Sequence, residues 1–275
     1  MKIEGFYPHK NEKPLDQICE NGGACCIFRK IAVIGDSLAS GEFDSVQKNQ
    51  SIVGHDIYEH SWGQYLGRMC GSVVYNFSRG NMTAMEFCET FADENDYWNE
   101  KYSADAYIIA LGVNDLCNYH HPVGDLSDIC TDNWRNNKKS FIGYYAQIIQ
   151  RYREISPKSK VFLMTMPEDV TRMAEGQREW SLAQVDAIKK IQKRFSQCWL
   201  IDLNKYGPVY DDEFHDRFFM GGHMSPYGYY LTACMVSSYI DYIIRNDPAS
   251  FQEVGYIRTP WQYDETDRYP FPNLF

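Results

Sequence analysis

The sequence predicts a three-layer α/β/α domain built around a parallel sheet, on three observations. Five short apolar runs recur along the chain, each closed by glycine, proline or polar residues. The runs are apolar on both alternating faces, as strands covered by helices on either side must be. Amphipathic stripes at helical spacing lie between them, so strand and helix alternate about five times, the order of an α/β fold.

The strand candidates are residues 30–35 (KIAVIG), 73–77 (VVYNF), 106–111 (AYIIAL), 161–164 (VFLM) and 199–203 (WLIDL). Phe141, Tyr144, Tyr145, Ile148, Ile149, Tyr152 and Ile155 share one helix face, and Pro157 stops that helix. Leu182, Val185, Ile188, Ile191 and Phe195 make a second stripe. Leu231, Cys234, Met235, Tyr239, Tyr242 and Ile243 make a third, opened by Ser225-Pro226 as cap and first helical residue and ended by Pro248. Residues 62–69, after Ser61, and 83–91 carry shorter helical patterns. No linker divides the chain, so residues 1–275 read as one domain. Its core is about 30–247, with an N-terminal extension (1–29) and an aromatic C-terminal tail (248–275) packed on it.

Composition narrows the function. A formal charge of −10 argues against nucleic acid or an anionic membrane surface as partner. No run is long enough to span a membrane, and the first ten residues hold no apolar signal core, so the expectation is a cytoplasmic protein. The nine cysteines include no CxxC pair, and Cys19, Cys25 and Cys26 lack a fourth metal ligand. The pairs His55/His60 and His120/His121 have no helix-borne metal spacing. No metal and no cofactor is expected; a nucleotide- or flavin-binding domain is disfavoured because neither GxGxxG nor GxxxxGK[ST] occurs.

In an open parallel sheet, ligands bind beyond the carboxyl ends of the strands. Gly35-Asp36-Ser37 follows the first strand, residues 76–81 (NFSRGN) the second, and Gly112-Val113-Asn114-Asp115 the third. Gly221-Gly222-His223 stands just before the capped third-stripe helix. One rim would thus hold a nucleophile, Ser37, and a base that later protonates the leaving group, His223. It would also hold three oxyanion donors: the Ser37 and Gly80 backbone N–H groups and the Asn114 amide. The positive end of the following helix disfavours imidazolium and so keeps His223 neutral. Asp36 and Asp115 read as structural hydrogen-bonders, and Arg79 as one half of a surface ion pair.

These blocks resemble the SGNH (GDSL) hydrolases. Ile34-Gly35-Asp36-Ser37-Leu38 is similar to the family's first block, Gly80 to its second-block glycine, Gly112-Val113-Asn114-Asp115 to its GxND block, and His223 with Tyr227-Gly228-Tyr229 to its last. The four lie in order across residues 31–230. The resemblance implies a flavodoxin-like, five-stranded parallel sheet, metal-free ester hydrolysis, and the roles given above to Ser37, Gly80, Asn114 and His223. One departure stands out: Met220 occupies the position of the aspartate in the family's usual DxxH. Asp202, Asp216 or a backbone carbonyl is expected to orient His223 instead.

The expected activity is a serine esterase or acylhydrolase acting through an acyl-serine on a small-molecule or carbohydrate acyl ester, with acetyl as a candidate group. The alternative is a catalytically weak or silent binding module on the same fold. The loop at 116–137, with Tyr119, His120 and Trp134, is expected to overhang the site, and the loop at 167–180, ending in Trp180, to form another wall. The aromatic tail leaves a homo-oligomer open.

Overall fold

The structure, a computed structural model, describes residues 5–171 and 176–262. In chain order its strands are β1 (Lys30–Gly35), β2 (Glu42–Val46), β3 (Ile52–Asp56), β4 (Val73–Asn76), β5 (Ala106–Ala110), β6 (Lys160–Met164), β7 (Cys198–Ile201), β8 (Phe219–Met220) and β9 (His223–Met224). The five strands expected from the apolar runs form one parallel sheet, ordered β4-β1-β5-β6-β7. Helices cover both of its faces.

Alternation along each strand feeds two cores. Ala32 and Ile34 of β1, Tyr107 and Ile109 of β5, and Val161 and Leu163 of β6 enter one, covered by helices Phe141–Ile155 and Gln177–Arg194. Ile31 and Val33, Ala106 and Ile108, and Phe162 enter the other, covered by helices Trp62–Cys70 and Pro226–Asn246. Burying each large side chain contributes about 1.5–3 kcal/mol, which is why runs apolar on both faces settle between two helical layers. The helix starts are capped: Ser61 and Ser225, as the sequence suggests, accept from the backbone N–H groups of Gln64 and Gly228, and Ser140 accepts from that of Gly143.

The two-stranded antiparallel sheet of β2 and β3 has no counterpart among the sequence expectations. Its residues, EFDSV and IVGHD, lack an apolar face. Val46 and Ile52, paired at its open end, are exposed, whereas the inner positions carry Glu42, Asp44 and Asp56. A strand that points carboxylates inward is invisible to a search for hydrophobic periodicity.

The N-terminal extension lies along helix Pro226–Asn246. Arg245 pairs with Glu12 at 2.6 Å and with Asp241 at 2.7 Å, and Asp241 also accepts from the Ala24 N–H. At the other end of the chain Phe251 packs on Phe162 and Trp199, and Arg258 meets the buried Asp105 at 2.9 Å. The aromatic tail from residue 263 falls outside the described residues. No helix among the described residues is long and apolar enough to cross a membrane.

One expected wall of the site lies elsewhere. The Trp134 indole donates to Glu154 at 3.1 Å, and its ring lies between the guanidinium groups of Arg135 and Arg151. Arg151 and Glu154 are in the last turns of the helix that leads into the start of β6, so Trp134 sits at the end of the sheet opposite the carboxyl rim.

Candidate active site

From β1 the chain steps to β4 on one side and then to β5 on the other, so the loops after these strands diverge around a crevice at the carboxyl edge of β1. Ser37 opens the four-residue helix Ser37–Ser40 directly after β1. Asp36 caps it, accepting from the Leu38 N–H at 3.1 Å, and Gly41, at φ 83°, ends it and turns the chain into β2. Asp36 is buried, and burial, reinforced by the nearby Asp115 and opposed by the Leu38 N–H, pushes its pKa up to about 7.

One tie brings the loop after β4 onto this helix, and a second joins that loop to the one after β5. Asn76, at the end of β4, donates its amide to Ala39 O at 3.0 Å and to Ser61 Oγ at 3.2 Å. Asp115, after β5, accepts from the Ala84 N–H with both carboxylate oxygens at 3.0 Å. Burial raises the Asp115 pKa to about 6 against the pull of the Ala84 N–H and His121. Gly112, at φ 125°, makes the turn before Asn114, a conformation in which a side chain would also strike Gln184 and Phe141. Asn114 is buried and donates its amide to Met82 O at 3.0 Å, in the loop that carries Gly80. Arg79 is paired with Glu86 at 2.6 Å.

His223 arrives on β9, a two-residue strand that packs against the Ser37 helix and against β2. Its Nδ1 lies 3.1 Å from Asp44 Oδ1, and the other Asp44 oxygen accepts the Gly222 N–H at 2.8 Å. An ionised carboxylate can only accept, so Nδ1 carries the proton and Nε2 presents its lone pair. The orienting carboxylate is therefore Asp44, from the β2–β3 hairpin, and not Asp202 or Asp216. Asp202 is engaged by Thr165 Oγ1 at 3.1 Å, the Lys205 N–H at 3.2 Å and Lys189 Nζ at 2.8 Å. Asp216 belongs to helix Asp212–Phe218, whose His215 pairs through Nε2 with Asp169 at 3.1 Å.

The hairpin contributes two more carboxylates. Asp56 accepts the Gly80 N–H with both oxygens, at 3.2 and 3.3 Å, and also the Ser40 hydroxyl. Glu42 Oε1 lies 3.8 Å from His223 Nε2, and burial raises the Glu42 pKa, against the effect of His223 and with that of Asp56 and Asp44. Ser37, Gly80 and Asn114 thus share the carboxyl rim of three adjacent strands, with His223 packed against the Ser37 helix. In this conformation the Gly80 N–H faces Asp56, the Asn114 amide faces Met82, and no hydrogen bond joins Ser37 to His223 among the described residues.

Of the expected loop residues, Tyr119 reaches the rim, where its hydroxyl accepts from the Asn81 amide next to Gly80. His120 packs on Trp180 with ring centres 4.7 Å apart. A cavity of about 360 Å³ lies against the Gly80 loop, lined by Thr83, Met85, Glu86, Tyr119 and His121 among others. Among the described residues one trio, Glu42, Asp44 and His223, brings metal-ligand atoms within 4.8 Å of one another.

The profile of the GDSL-like lipase/acylhydrolase family matches residues 33–231, which include Ser37, Gly80, Asn114 and His223. The chain belongs to this family. Among solved structures, a protein from Lactobacillus plantarum is similar over 78% of this chain and 97% of its own, at 15% identity and a TM-score of 0.59. A family two carbohydrate esterase from Clostridium thermocellum, solved with cellohexaose, is similar over 81% of this chain and 65% of its own, at 16% identity and a TM-score of 0.53. A family two enzyme with a carbohydrate-binding domain from Corynascus thermopiles is similar over 80% and 67%, at 15% identity and a TM-score of 0.52. At these identities the likeness is one of fold. None of the curated proteins matches the chain.

The family blocks left one gap, the orienting carboxylate, because Asp44 lies seven residues after Ser37 and far in sequence from His223. The signal in the sequence is a pair of acidic residues at alternate positions after the first block, Glu42 and Asp44, with Asp56 twelve residues further on.

Proposed function

We propose that the protein is a serine ester hydrolase in which Ser37 attacks an acyl ester and His223 carries the proton. Nε2 of His223 takes the Ser37 hydroxyl proton, and the imidazolium then returns it to the leaving alcohol. Water, deprotonated by the same nitrogen, releases the acyl group from Ser37. Asp44 holds Nδ1–H and stabilises the imidazolium between these transfers. The Ser37 and Gly80 N–H groups and the Asn114 amide receive the oxyanion. The observation that carries this reading is the Asp44–His223 pair, 3.1 Å apart, on a strand packed against the helix that Ser37 begins.

The carboxylate of Asp56 on the Gly80 N–H supports the oxyanion role: that donor already holds an anion, and an oxyanion would exchange with it while Asp56 keeps the Ser40 hydroxyl. The expected substrates are small acyl groups, acetyl among them, on a carbohydrate. The fold likeness to two family two carbohydrate esterases supports that choice.

A second reading, a binding module without turnover, draws on the engaged Gly80 N–H and on the absence of a Ser37–His223 hydrogen bond among the described residues. Reaction with a fluorophosphonate and turnover of p-nitrophenyl acetate separate the two. The esterase reading expects one phosphonyl group per chain on Ser37 and at least ~10³-fold slower turnover in Ser37→Ala and His223→Ala. An unlabelled protein whose turnover is the same in Ser37→Ala belongs to the second reading.

A further inference from the structure

Among the described residues, Glu42 is the one hairpin carboxylate without a hydrogen-bond donor. Asp44 holds the His223 Nδ1–H and the Gly222 N–H, and Asp56 holds the Gly80 N–H and the Ser40 hydroxyl. The Glu42 side chain is 16% exposed, yet its carboxylate accepts no hydrogen bond among the described residues, and His223 Nε2 lies 3.8 Å from its Oε1. Its place is made for it. A Cβ at Gly54 or at Gly80 would overlap this carboxylate, and neither glycine has a positive φ that would call for glycine on backbone grounds. Its backbone is also fixed, since the buried Tyr229 donates its hydroxyl to Glu42 O at 2.8 Å. The carboxylate keeps some exposure, so it is free to accept a donor that a ligand brings.

We propose that Glu42 determines specificity, accepting a hydrogen bond from a free hydroxyl next to the acylated oxygen of a partially acylated polyol or sugar. This rests on the esterase reading above. The leaving oxygen must come within hydrogen-bond reach of His223 Nε2, about 3 Å, to be protonated. A vicinal hydroxyl lies a further ~3 Å from that oxygen, and an acceptor 3.8 Å from Nε2 stands within reach of it. A site that hydrogen-bonds a substrate hydroxyl rejects the analogue lacking it, because its own polar group is then left unpaired. Simple alkyl and aryl esters are therefore poor substrates relative to monoacetylated sugars.

The test compares kcat and KM for a monoacetylated methyl glycoside and for p-nitrophenyl acetate, in wild type, Ser37→Ala, Glu42→Gln and Glu42→Ala. The expected result is that kcat/KM for the glycoside ester falls at least tenfold more than that for the aryl ester in Glu42→Ala, mostly through KM, with Glu42→Gln recovering part of the loss. Equal losses on both esters, or an unchanged glycoside ester, overturn the assignment to Glu42 while leaving the esterase reading in place. Turnover of both esters that survives Ser37→Ala instead overturns the esterase reading, and this assignment with it.

Discussion

Two regions build the candidate site by opposite means. The rim loops after β1, β4 and β5 extend strands of the main sheet, so Ser37, Gly80 and Asn114 are placed by a sheet that packs apolar side chains on both faces. The β2–β3 hairpin has a single apolar anchor, Phe43, packed against Tyr229 and His60. Otherwise it is held to the body by charges and hydrogen bonds: Asp44 to His223 and Gly222, Asp56 to Gly80 and Ser40, and the Glu42 carbonyl to Tyr229. In the proposed mechanism the rim supplies the reacting and donor groups on a packed frame, and the hairpin supplies the negative charge that aims them. Position on the rim comes from packing, whereas orientation of the histidine comes from an element outside the main sheet.

The largest effect that would break this division is on the hairpin. Asp44→Asn is expected to lower kcat by about 10²–10⁴-fold, since an amide no longer fixes the imidazole with Nδ1 protonated. Asp202→Asn is expected to leave kcat within a few fold, because its carboxylate serves Thr165, Lys205 and Lys189. Steady-state rates on p-nitrophenyl acetate check both, and the reverse ranking would return the orienting role to the body of the fold. Next in size is the contact between the two regions. Gly80→Ala places a methyl group on the Glu42 carboxylate, and about 10²-fold in kcat should go with the displaced oxyanion donor. A rate within twofold of wild type would detach Gly80 from the chemistry.

The smallest effect is on stability and belongs to the rim alone. Burial raises Asp36 to about 7, above the ordinary aspartate value near 4, so the native state binds the proton more tightly than the unfolded chain. Its contribution is fully present below the ordinary value and is lost as pH rises through about 7. Asp36→Asn, which keeps an oxygen for the Leu38 N–H, is expected to flatten the fall in unfolding free energy between pH 5 and pH 8. Urea titrations of both proteins at the two pH values read it, and identical slopes would remove Asp36 as the source.

The same contrast explains what the sequence could and could not reveal. All five sheet strands and the three long helices follow from apolar spacing, and their ends differ from expectation by a few residues because caps, not periodicity, set them. Ser37, Gly80, Asn114 and His223 stand out in the sequence as candidates because three lie within four residues of a strand end and the fourth precedes a capped helix. Asp44 was not, because the β-hairpin pairing that carries it buries carboxylates where a strand search looks for valine or isoleucine. Trp134 was misplaced for a related reason: the loop after β5 is long enough to return along helix Phe141–Ile155, and the ring found Arg151 and Glu154 at the far end of that helix.

The central claim, that the hairpin aims the histidine, is open to direct observation. In ¹⁵N-labelled protein at a pH where the imidazole is neutral, nitrogen-to-carbon-proton correlation spectra report which ring nitrogen carries hydrogen, and the His223 signals are assigned by their loss in His223→Ala. The account predicts the Nδ1–H tautomer for His223 in wild type and its loss in Asp44→Ala. An Nε2–H tautomer in wild type, or an Nδ1–H tautomer untouched by Asp44→Ala, would contradict it.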